Sequence, residues 1–445
     1  DSYLKIKFED KKNFVESIIA SKGKLNFNNV KKVSSLINYK LQNFKNLTLD
    51  SNLKTKINFE INNKFKIKNT NYRIDGKINN LELDLVQSKY IKNFIPEFKK
   101  NIKIKNSNVY LNYPSKKNES QTFKLDGLIS LNESFEKINL FQSFNKKKDI
   151  INIKLSTSLN NSIITFPMLN YKKDKDSKAH LNTNIEFVLK KYFLINSFRY
   201  TQDKNQILFN NVKLNKKFEI NSFKKVKIQT YKDKKKNNDF KIVNTNQVIV
   251  SGKIFDAEPL LKSLYKNKKS DRNEFSQKFN SNIIMNLDEV LTGTFDVISD
   301  ISMVAKIENG SYEKLVLKGN FSDEDKVEIS IYKIDDNTKT IEVVSDRARP
   351  FVKSFDFIKG FEGGKLTYDS TVLKNSSKSN LLITDFKVSK VPALAQLLTL
   401  ASLQGIADTL SGDGIRFKSF EMKTNSEGNV LNIEDALAMG PAVSI

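Results

Sequence analysis

The sequence predicts a mainly β protein: a long, antiparallel, twisted β-sheet with a few short helices. Over the first 250 residues, apolar side chains alternate with Lys, Asn, Asp or Thr in many short runs. A period of two places every second side chain on the same face of a strand. The helix-like segments are too few and too irregularly spaced for alternating β-α units, so a parallel doubly wound sheet is not expected. One apolar and one wet face is typical of antiparallel sheets.

Four runs give the clearest alternation, and their apolar members are the candidate residues of the shared apolar face. Such a face must meet another sheet, a helix layer or lipid chains, because a large exposed apolar patch is unfavourable. From the residues alone, the core of a closed sandwich and the lining of an open groove remain equal alternatives. The candidates are Ile57, Phe59, Ile61, Leu81, Leu83, Leu85, Val109, Leu111, Ile151, Ile153 and Leu155.

Helices and loops are expected between the strands. Helical spacing predicts short helices at residues 13–20, 30–43, 88–99, 257–265, 348–355 and 391–410. The last is apolar around most of its circumference and fits a helix docked on an apolar concavity better than a membrane span. Polar, anchor-poor segments at 171–179, 232–239 and 267–277 predict loops, and Gly363-Gly364 predicts a hairpin turn.

The net charge of +25 invites comparison with nucleic-acid-binding proteins. Only six of the 75 basic residues are arginine, however. Lysine lacks the planar guanidinium group that forms bidentate hydrogen bonds with bases and phosphates. A lysine-rich, solvated outer surface explains the charge without a nucleic-acid partner. None is predicted.

Residues for catalysis or for tight ligand binding are scarce. The chain has no cysteine and a single histidine, His180, which excludes thiolate catalysis and Cys-ligated metal. No phosphate-binding or dinucleotide-binding glycine pattern follows a strand. Paired acids such as Asp335 and Asp336 lie in turn-like polar clusters without the spacing of a calcium loop. We therefore expect no enzyme activity, no cofactor and no metal site.

Three motifs in the second half of the chain carry a family resemblance. The first is S-G-K-I-F-D-A-E-P-L-L at 251–261, with Gly252, Asp256 and Pro259. The second is V-V-S-D-R-A at 343–348, with Ser345 and Asp346, followed by Gly363-Gly364. The third is a strand and a Leu-rich segment that end at Gly412-Asp413-Gly414, and a closing I-E-D-A-L-A-M-G-P at 433–441.

Together these motifs resemble the AsmA-like family of Gram-negative envelope proteins, in particular its large members with an AsmA-like C-terminal region. Firm similarity covers residues 248–445, so the chain is divided into a β-groove region at 1–245 and a continuous AsmA-like region at 246–445. The resemblance implies a long sheet curled into an open apolar groove, related to the bridge-type lipid carriers. It also implies a periplasmic location and an inner-membrane anchor outside this sequence.

The resulting hypothesis is a conduit that carries phospholipid between the inner and outer membranes, with its acyl chains in the groove. Phospholipid, both membranes and envelope proteins are the expected partners. The alternative is a non-enzymatic structural or assembly factor for outer-membrane biogenesis, which acts through protein contacts and carries no lipid. An enzyme of envelope polymers is the least favoured, because no acid/base pair or nucleophile stands out.

Overall fold

The structure is a computed structural model that describes residues 2–9, 12–29, 44–85, 91–116, 118–265, 275–352, 359–373, 376–390, 414–428 and 430–441. It is mainly β, and 24 strands belong to one mostly antiparallel sheet that is not closed into a barrel. Among the described residues, the first strand pairs only with the second, and the last only with its predecessor. The predicted fold class is confirmed.

The chain divides into two compact units, residues 1–167 with 171–218 and residues 168–170 with 219–445. The division at 245/246 drawn from family similarity stays a prediction. The strands of unit 1 are β1 (Tyr3–Glu9), β2 (Lys12–Asn26), β3 (Phe44–Asn62), β4 (Ile67–Leu85), β5 (Asn101–Tyr113), β6 (Ser120–Ser130), β7 (Phe135–Asn145), β8 (Ile150–Ser158), β9 (Ile164–Phe166), β10 (Tyr171–Lys173), β11 (Ala179–Val188), β12 (Tyr192–Gln202) and β13 (Asn205–Asn215).

Unit 1 is an antiparallel meander. Each strand from β1 to β8 pairs with the next, β8 pairs with β11, and β11 to β13 continue the meander. The small hairpin β9–β10 stands outside this sheet. Because successive strands are antiparallel, the turns after β1, β3, β5, β7, β11 and β13 all lie along one rim of the sheet.

Bulges keep the apolar residues of unit 1 on one face. Ile104 and Val109 are five residues apart, an odd separation that would put them on opposite faces of a regular strand. The ladder between β5 and β6 shifts between Lys105 and Asn108, which inserts one extra residue and restores the common face. Gly127 leaves room for the bulge, since a Cβ there would lie 2.0 Å from Ser107 Oγ.

The strands of unit 2 are β14 (Ile220–Ser222), β15 (Lys225–Lys232), β16 (Lys235–Asn244), β17 (Val248–Asp256), β18 (Ser281–Leu291), β19 (Val297–Glu308), β20 (Ser311–Asn320), β21 (Lys326–Lys333), β22 (Lys339–Ser345), β23 (Lys359–Val372), β24 (Ser376–Lys390), β25 (Ile415–Glu427) and β26 (Val430–Met439). Its helices are α1 (Glu258–Tyr265) and α2 (Arg349–Val352). From β15 to β26 the pairing is antiparallel except for β17 and β18.

The parallel pair β17–β18 is the exception that the alternation pattern does not reveal. Parallel strands need a crossover, and α1 lies on the connection between them. Asp256, the last residue of β17, begins this crossover: its side chain accepts a hydrogen bond from the Glu258 backbone N–H at 3.1 Å. Asn237 and Asn170 also donate to Asp256, at 3.1 and 2.9 Å.

Several local predictions were wrong, and others lie outside the described residues. Residues 13–20 form part of β2 rather than a helix, because pairing with β1 and β3 outweighs the helical spacing of their apolar residues. Residues 232–239 are two paired strands joined at Asp233-Lys234. Gly363 and Gly364 lie within the continuous strand β23 at φ 71° and 83°, so they form an irregularity and not a hairpin turn.

Of the remaining helix and loop predictions, some are confirmed, some are wrong and some lie outside the described residues. The helix at 257–265 is confirmed as α1, and only the four residues of α2 are helical in the described part of 348–355. Residues 171–179 contain the short strand β10. Of residues 88–99, the structure describes 91–99, and within these only Ile91–Asn93 form a single 3₁₀ turn. The helices predicted at 30–43 and 391–410, and most of the loop at 267–277, lie outside the described residues.

A buried ion cluster ties two turns of unit 2 together. Asp296, with a side chain only 3% exposed, accepts hydrogen bonds from Arg349 at 2.8 Å and Arg347 at 3.1 Å. Arg347 also pairs with Asp325 at 2.9 Å. Burial of Asp296 opposes its ionisation, but the hydrogen bonds from Arg349 and Arg347 outweigh it and hold the pKa of that carboxyl below its usual range.

We predict that Asp296→Ala lowers the free energy of unfolding by about 2–4 kcal/mol, because it removes the buried carboxylate that Arg349 and Arg347 share and leaves Arg347 with Asp325 alone. A carboxyl with a lowered folded-state pKa stabilises the fold above its unfolded pKa of about 4, and that contribution is lost as the pH falls through the folded value. Urea unfolding measured from neutral to acidic pH should therefore show that the free energy of unfolding falls less steeply with decreasing pH in Asp296→Asn than in the unchanged chain. Asp323→Asn, at an exposed carboxylate, is the control, and equal effects of the two variants would contradict the assignment.

Candidate functional site

The predicted apolar residues lie on one face of the unit 1 sheet, and cross-strand pairing shows it directly. Residues that lie directly opposite each other on successive strands form a row across the sheet, and we name two such rows row one and row two. Row one is Leu53, Gly76, Val109, Leu125, Leu140, Leu155, Thr183, Phe198 and Phe209. Row two is Thr55, Ile74, Leu111, Phe123, Gln142, Ile153, Ile185, Ile195 and Val212. Each row crosses nine strands.

The other predicted residues extend the same face. Leu81 packs with Val109 and Leu155 in one apolar cluster around the buried Ile78, Ile104, Leu125 and Ile138. Ile57, Phe59 and Ile61 continue along β3 with the same alternation as Leu53, and Leu83 follows Leu81 along β4. Leu85 ends β4, and its side chain lies outside the description.

A third row lies nearer the rim that carries the turns after β5, β7, β11 and β13. Row three is Gln121, Phe144, Ile151, Phe187, Phe193 and Leu214. Of these, only Ile151 was among the candidates. The others, and Ile185 and Ile195 of row two, were missed, although alternation along β11 is a signal that could have found them.

Exposure of this face increases from one rim to the other. The described members of rows two and three are all half-buried. In a closed sandwich, the side chains between two sheets pack at the density of a protein interior and are largely removed from water. Among the described residues of unit 1, no second sheet covers these rows. The face is therefore an open, single-layer surface there.

The opposite rim of unit 1, which we call the closed rim, is covered by its own segments. Residues 91–98, 159–167 and 171–173 of unit 1 fold over the ends of the strands, with Thr165 N–H donating to the Phe94 carbonyl at 2.9 Å. Phe166 and Tyr171 pack against Tyr200, with ring centroids 5.4 and 5.9 Å apart. Tyr200 and Ile207 are 1% and 0% exposed as a result.

Several buried polar groups at the closed rim are hydrogen-bonded within the rim, whereas Ser162 Oγ and Glu97 Oε2 are buried without a hydrogen-bond partner. The Tyr171 and Tyr200 hydroxyls are hydrogen-bonded at 2.9 Å, and burial raises the pKa of Tyr171 to about 12. Lys173 Nζ, in a residue that is 2% exposed, donates to the carbonyls of Asn160, Ser162 and Asp174, each at 2.9 Å. Burial lowers the pKa of Lys173. These contacts make the closed rim a dry, structural end of the face.

The motif residues behind the family resemblance belong to unit 2, and the contacts given for them are structural. Ser345 Oγ donates to the Arg347 carbonyl at 2.8 Å, and Asp346 accepts the Lys326 backbone N–H at 2.9 Å. Gly252 permits a close approach, since a Cβ there would lie 2.5 Å from Phe240 Cα. Two further motif residues, Pro259 in the first turn of α1 and Gly414 at φ 84°, suit their backbone positions. Gly412 lies outside the described residues.

Other kinds of site are not found in the described part of the chain. No group of three or more His, Asp or Glu side chains there is placed to hold a metal ion. Within the same residues, no helix has both the length and the apolarity that a membrane crossing requires. His180 is exposed, and its imidazole lies 3.1 Å from Ser156 Oγ on the outer surface.

Comparison with known proteins gives no match: no family model, no curated protein and no solved structure is similar to this chain. The resemblance to the AsmA-like family therefore remains a prediction from the motifs.

We predict that truncating an apolar side chain to alanine lowers the free energy of unfolding much more at the closed rim than in row two. Ile207→Ala removes a fully buried side chain at the closed rim and should lower the free energy of unfolding by about 3–4 kcal/mol. Ile153→Ala removes a half-buried side chain of row two and should cost about 1 kcal/mol. Urea denaturation of the whole chain measures both. Lys154→Ala, on the outer face, is the control, and an equal cost for Ile153 and Ile207 would mean that a further layer covers row two.

Proposed function

We propose that the protein is a lipid-transfer conduit in the periplasm, which carries phospholipid between the inner and outer membranes on the open apolar face of its sheet. The single observation that carries the proposal is the continuity of that face: rows one and two each cross nine strands without interruption by a charged residue. The location, the membranes and the anchor outside this sequence come from the AsmA-like motifs alone.

The energetics of an open apolar face support a lipid occupant. Each methylene of an acyl chain moved from water to an apolar surface contributes about 0.8 kcal/mol when fully covered. Half-buried residues such as Leu111, Phe123 and Ile153 offer partial cover along a continuous path. A chain of many methylenes thus gains several kcal/mol without any deep pocket.

The chemistry of the face also supports a carrier rather than an enzyme. Its polar members in rows one to three are Thr55, Thr183, Gln121 and Gln142, none of which ionises near neutral pH. A face without charges holds acyl chains by contact area alone, so a lipid can move from one strand to the next without breaking strong bonds.

We predict that a photo-crosslinking amino acid at position 153 of the whole chain captures lipid in cells, whereas the same amino acid at position 154 does not. Ile153 lies on the apolar face, and Lys154 points to the opposite face of the same strand. Mass spectrometry of the adducts distinguishes lipid from protein. Adducts that contain only protein at position 153 would contradict the proposed function.

We also predict that Leu111→Asp with Ile153→Asp slows phospholipid transfer between vesicles by at least about tenfold, because a carboxylate in the path costs well over 1.4 kcal/mol to cover with an acyl chain. The half-open face should tolerate the change, so the circular dichroism and the thermal midpoint should change little. Lys124→Asp with Lys154→Asp, on the outer face, is the control. Transfer at the original rate in the first variant would refute the conduit.

One observation favours the alternative of an assembly factor. Within the described residues, strand β26 pairs only with β25 and so forms an edge of the sheet. Its apolar side chains are exposed, among them Val430, Leu431 and Ile433, which are 59%, 55% and 61% exposed. Exposed edges of this kind can pair with a strand of another chain. Crosslinks to protein at position 431 together with none to lipid at position 153 would favour this second function.

A further inference from the structure

Exposed lysines mark the rim opposite the closed rim, and we call it the open rim. One of its turns, after β5, contains Lys116, which pairs with Glu119 at 3.4 Å. Four others are residues 63–66 after β3, 146–149 after β7, 189–191 after β11 and 216–218 after β13. The exposed lysines of these turns are Lys64, Lys66, Lys147, Lys148, Lys190, Lys191, Lys216 and Lys217. Within the described part of unit 1, none of these eight forms an ion pair with a carboxylate.

The closed rim differs in charge as well as in cover. Three of its lysines pair with acids across its loops: Lys99 with Glu133, Lys172 with Asp174 at 2.7 Å and Lys175 with Glu97 at 2.9 Å. The turn after β6, at residues 131–134, contains Glu133 and no lysine. Three other lysines of the closed rim, Lys92, Lys100 and Lys178, are exposed and form no ion pair within the described part of unit 1. Exposed lysine without an ion pair is therefore denser on the open rim, which has eight such residues in four short turns, than on the closed rim.

Three of the lysine turns, those after β7, β11 and β13, adjoin row three directly. Phe144 and Ile151 flank the turn at 146–149, and Phe187 and Phe193 flank the turn at 189–191. At about 3.3 Å per residue along a strand, these apolar side chains lie within about 10 Å of the exposed lysines. Each of these two turns therefore places lysine cations beside apolar side chains of row three.

Aromatic side chains occupy the boundary between the two. Phe193 stacks on Phe218 with ring centroids 4.6 Å apart, and Phe187 meets Phe193 edge-on at 4.9 Å. Phe218 itself is 52% exposed, and Leu189, in the neighbouring turn, is 41% exposed. Amphipathic boundaries of apolar surface, aromatic rings and cations match the layers of a lipid: acyl chain, glycerol region and headgroup.

We propose that the lysine turns of the open rim bind the headgroups of net-anionic, phosphate-bearing lipids whose acyl chains lie on rows two and three. This inference rests on the proposed function and deepens it by naming the lipid class and the place of the headgroup. Charge complementarity supports the anionic headgroup, and the adjoining apolar rows support an attached acyl chain. A ligand with charge alone would leave row three exposed to water.

The distance between neighbouring turns along the rim is large enough for each turn to bind a separate lipid headgroup. Successive turns on one rim of an antiparallel meander are two strands apart, or about 10 Å. Each turn therefore presents its own group of cations to its own headgroup position. Exposed lysines near an anionic surface each change binding by about fivefold at low salt, and the attraction weakens as salt screens it.

The test uses the whole chain and monomeric dioctanoyl phosphatidylglycerol, which is net anionic, with dioctanoyl phosphatidylcholine, which is net neutral. Both are titrated calorimetrically below the concentration at which they aggregate, so that no membrane surface is present. Glycerophosphoglycerol, the anionic headgroup without chains, is the third ligand. The test variant carries Lys147→Gln, Lys148→Gln, Lys190→Gln and Lys191→Gln. The control variant carries Lys92→Gln, Lys100→Gln, Lys154→Gln and Lys178→Gln, which remove the same charge from exposed positions elsewhere in unit 1.

The unchanged chain should bind phosphatidylglycerol more tightly than phosphatidylcholine, with a preference that falls as the ionic strength rises to about 0.15 M, and should bind glycerophosphoglycerol far more weakly. The test variant should lose at least about tenfold in affinity for phosphatidylglycerol and little for phosphatidylcholine. The control variant should retain both affinities. Unchanged thermal midpoints would show that both variants fold.

Four results would overturn the inference. Equal affinity of the test variant and the unchanged chain for phosphatidylglycerol would show that the rim does not hold headgroups, while lipid binding, and with it the proposed function, would still stand. Equal losses in the test and control variants would assign the effect to overall charge, and equal losses for both lipids would remove the preference for anionic headgroups. If neither lipid binds the unchanged chain, the proposed function itself fails and the inference with it.

Discussion

The structure depends on one constraint: in a single-layer sheet, every strand must present its apolar side chains to the same face. A slip of one residue moves the whole apolar set of a strand to the other face. Ile78 and Leu81 are three residues apart, as Ile104 and Val109 are five apart, and regular strands would separate both pairs. Register shifts in β4 and β5 bring all four into one cluster. The bulges are therefore what makes the apolar face continuous.

A single layer also has to end its apolar face in some way at each rim, and unit 1 uses two different solutions. At the closed rim, residues 91–98, 159–167 and 171–173 cover the strand ends and exclude water from Tyr200 and Ile207. At the open rim, polar turns with lysine replace the cover, and the apolar rows remain half-exposed. Mutual repulsion among unpaired lysines keeps this rim soluble and discourages association between copies through the exposed face.

Sequence alternation predicted the strands and the common face well, because both follow from local periodicity. It could not predict features that depend on which strands become neighbours. The lysines of the turns at 146–149 and 189–191 are some 40 residues apart in the chain, and only the pairing of β8 with β11 aligns them on one rim. Residues 13–20 have apolar residues at helical spacing, yet the ladders to β1 and β3 decide for a strand. The sequence also did not predict that β17 and β18 are parallel. Asp256, a residue of the first family motif, begins the crossover between them.

Transport along a surface requires many similar sites of moderate strength rather than one strong site, since a lipid held tightly at one point does not move on. In unit 1 the apolar rows repeat from strand to strand, and the lysine turns after β7, β11 and β13 follow one another two strands apart. Under the proposed function, neighbouring positions on β7, β8, β11 and β12 thus offer nearly equal binding free energies, about 10 Å apart along the rim. A lipid can reach the next turn with its headgroup before its acyl chain has left the previous strand, so each step breaks only part of the contact. The half-exposure that makes this face a poor protein core is the property that a path for lipids needs.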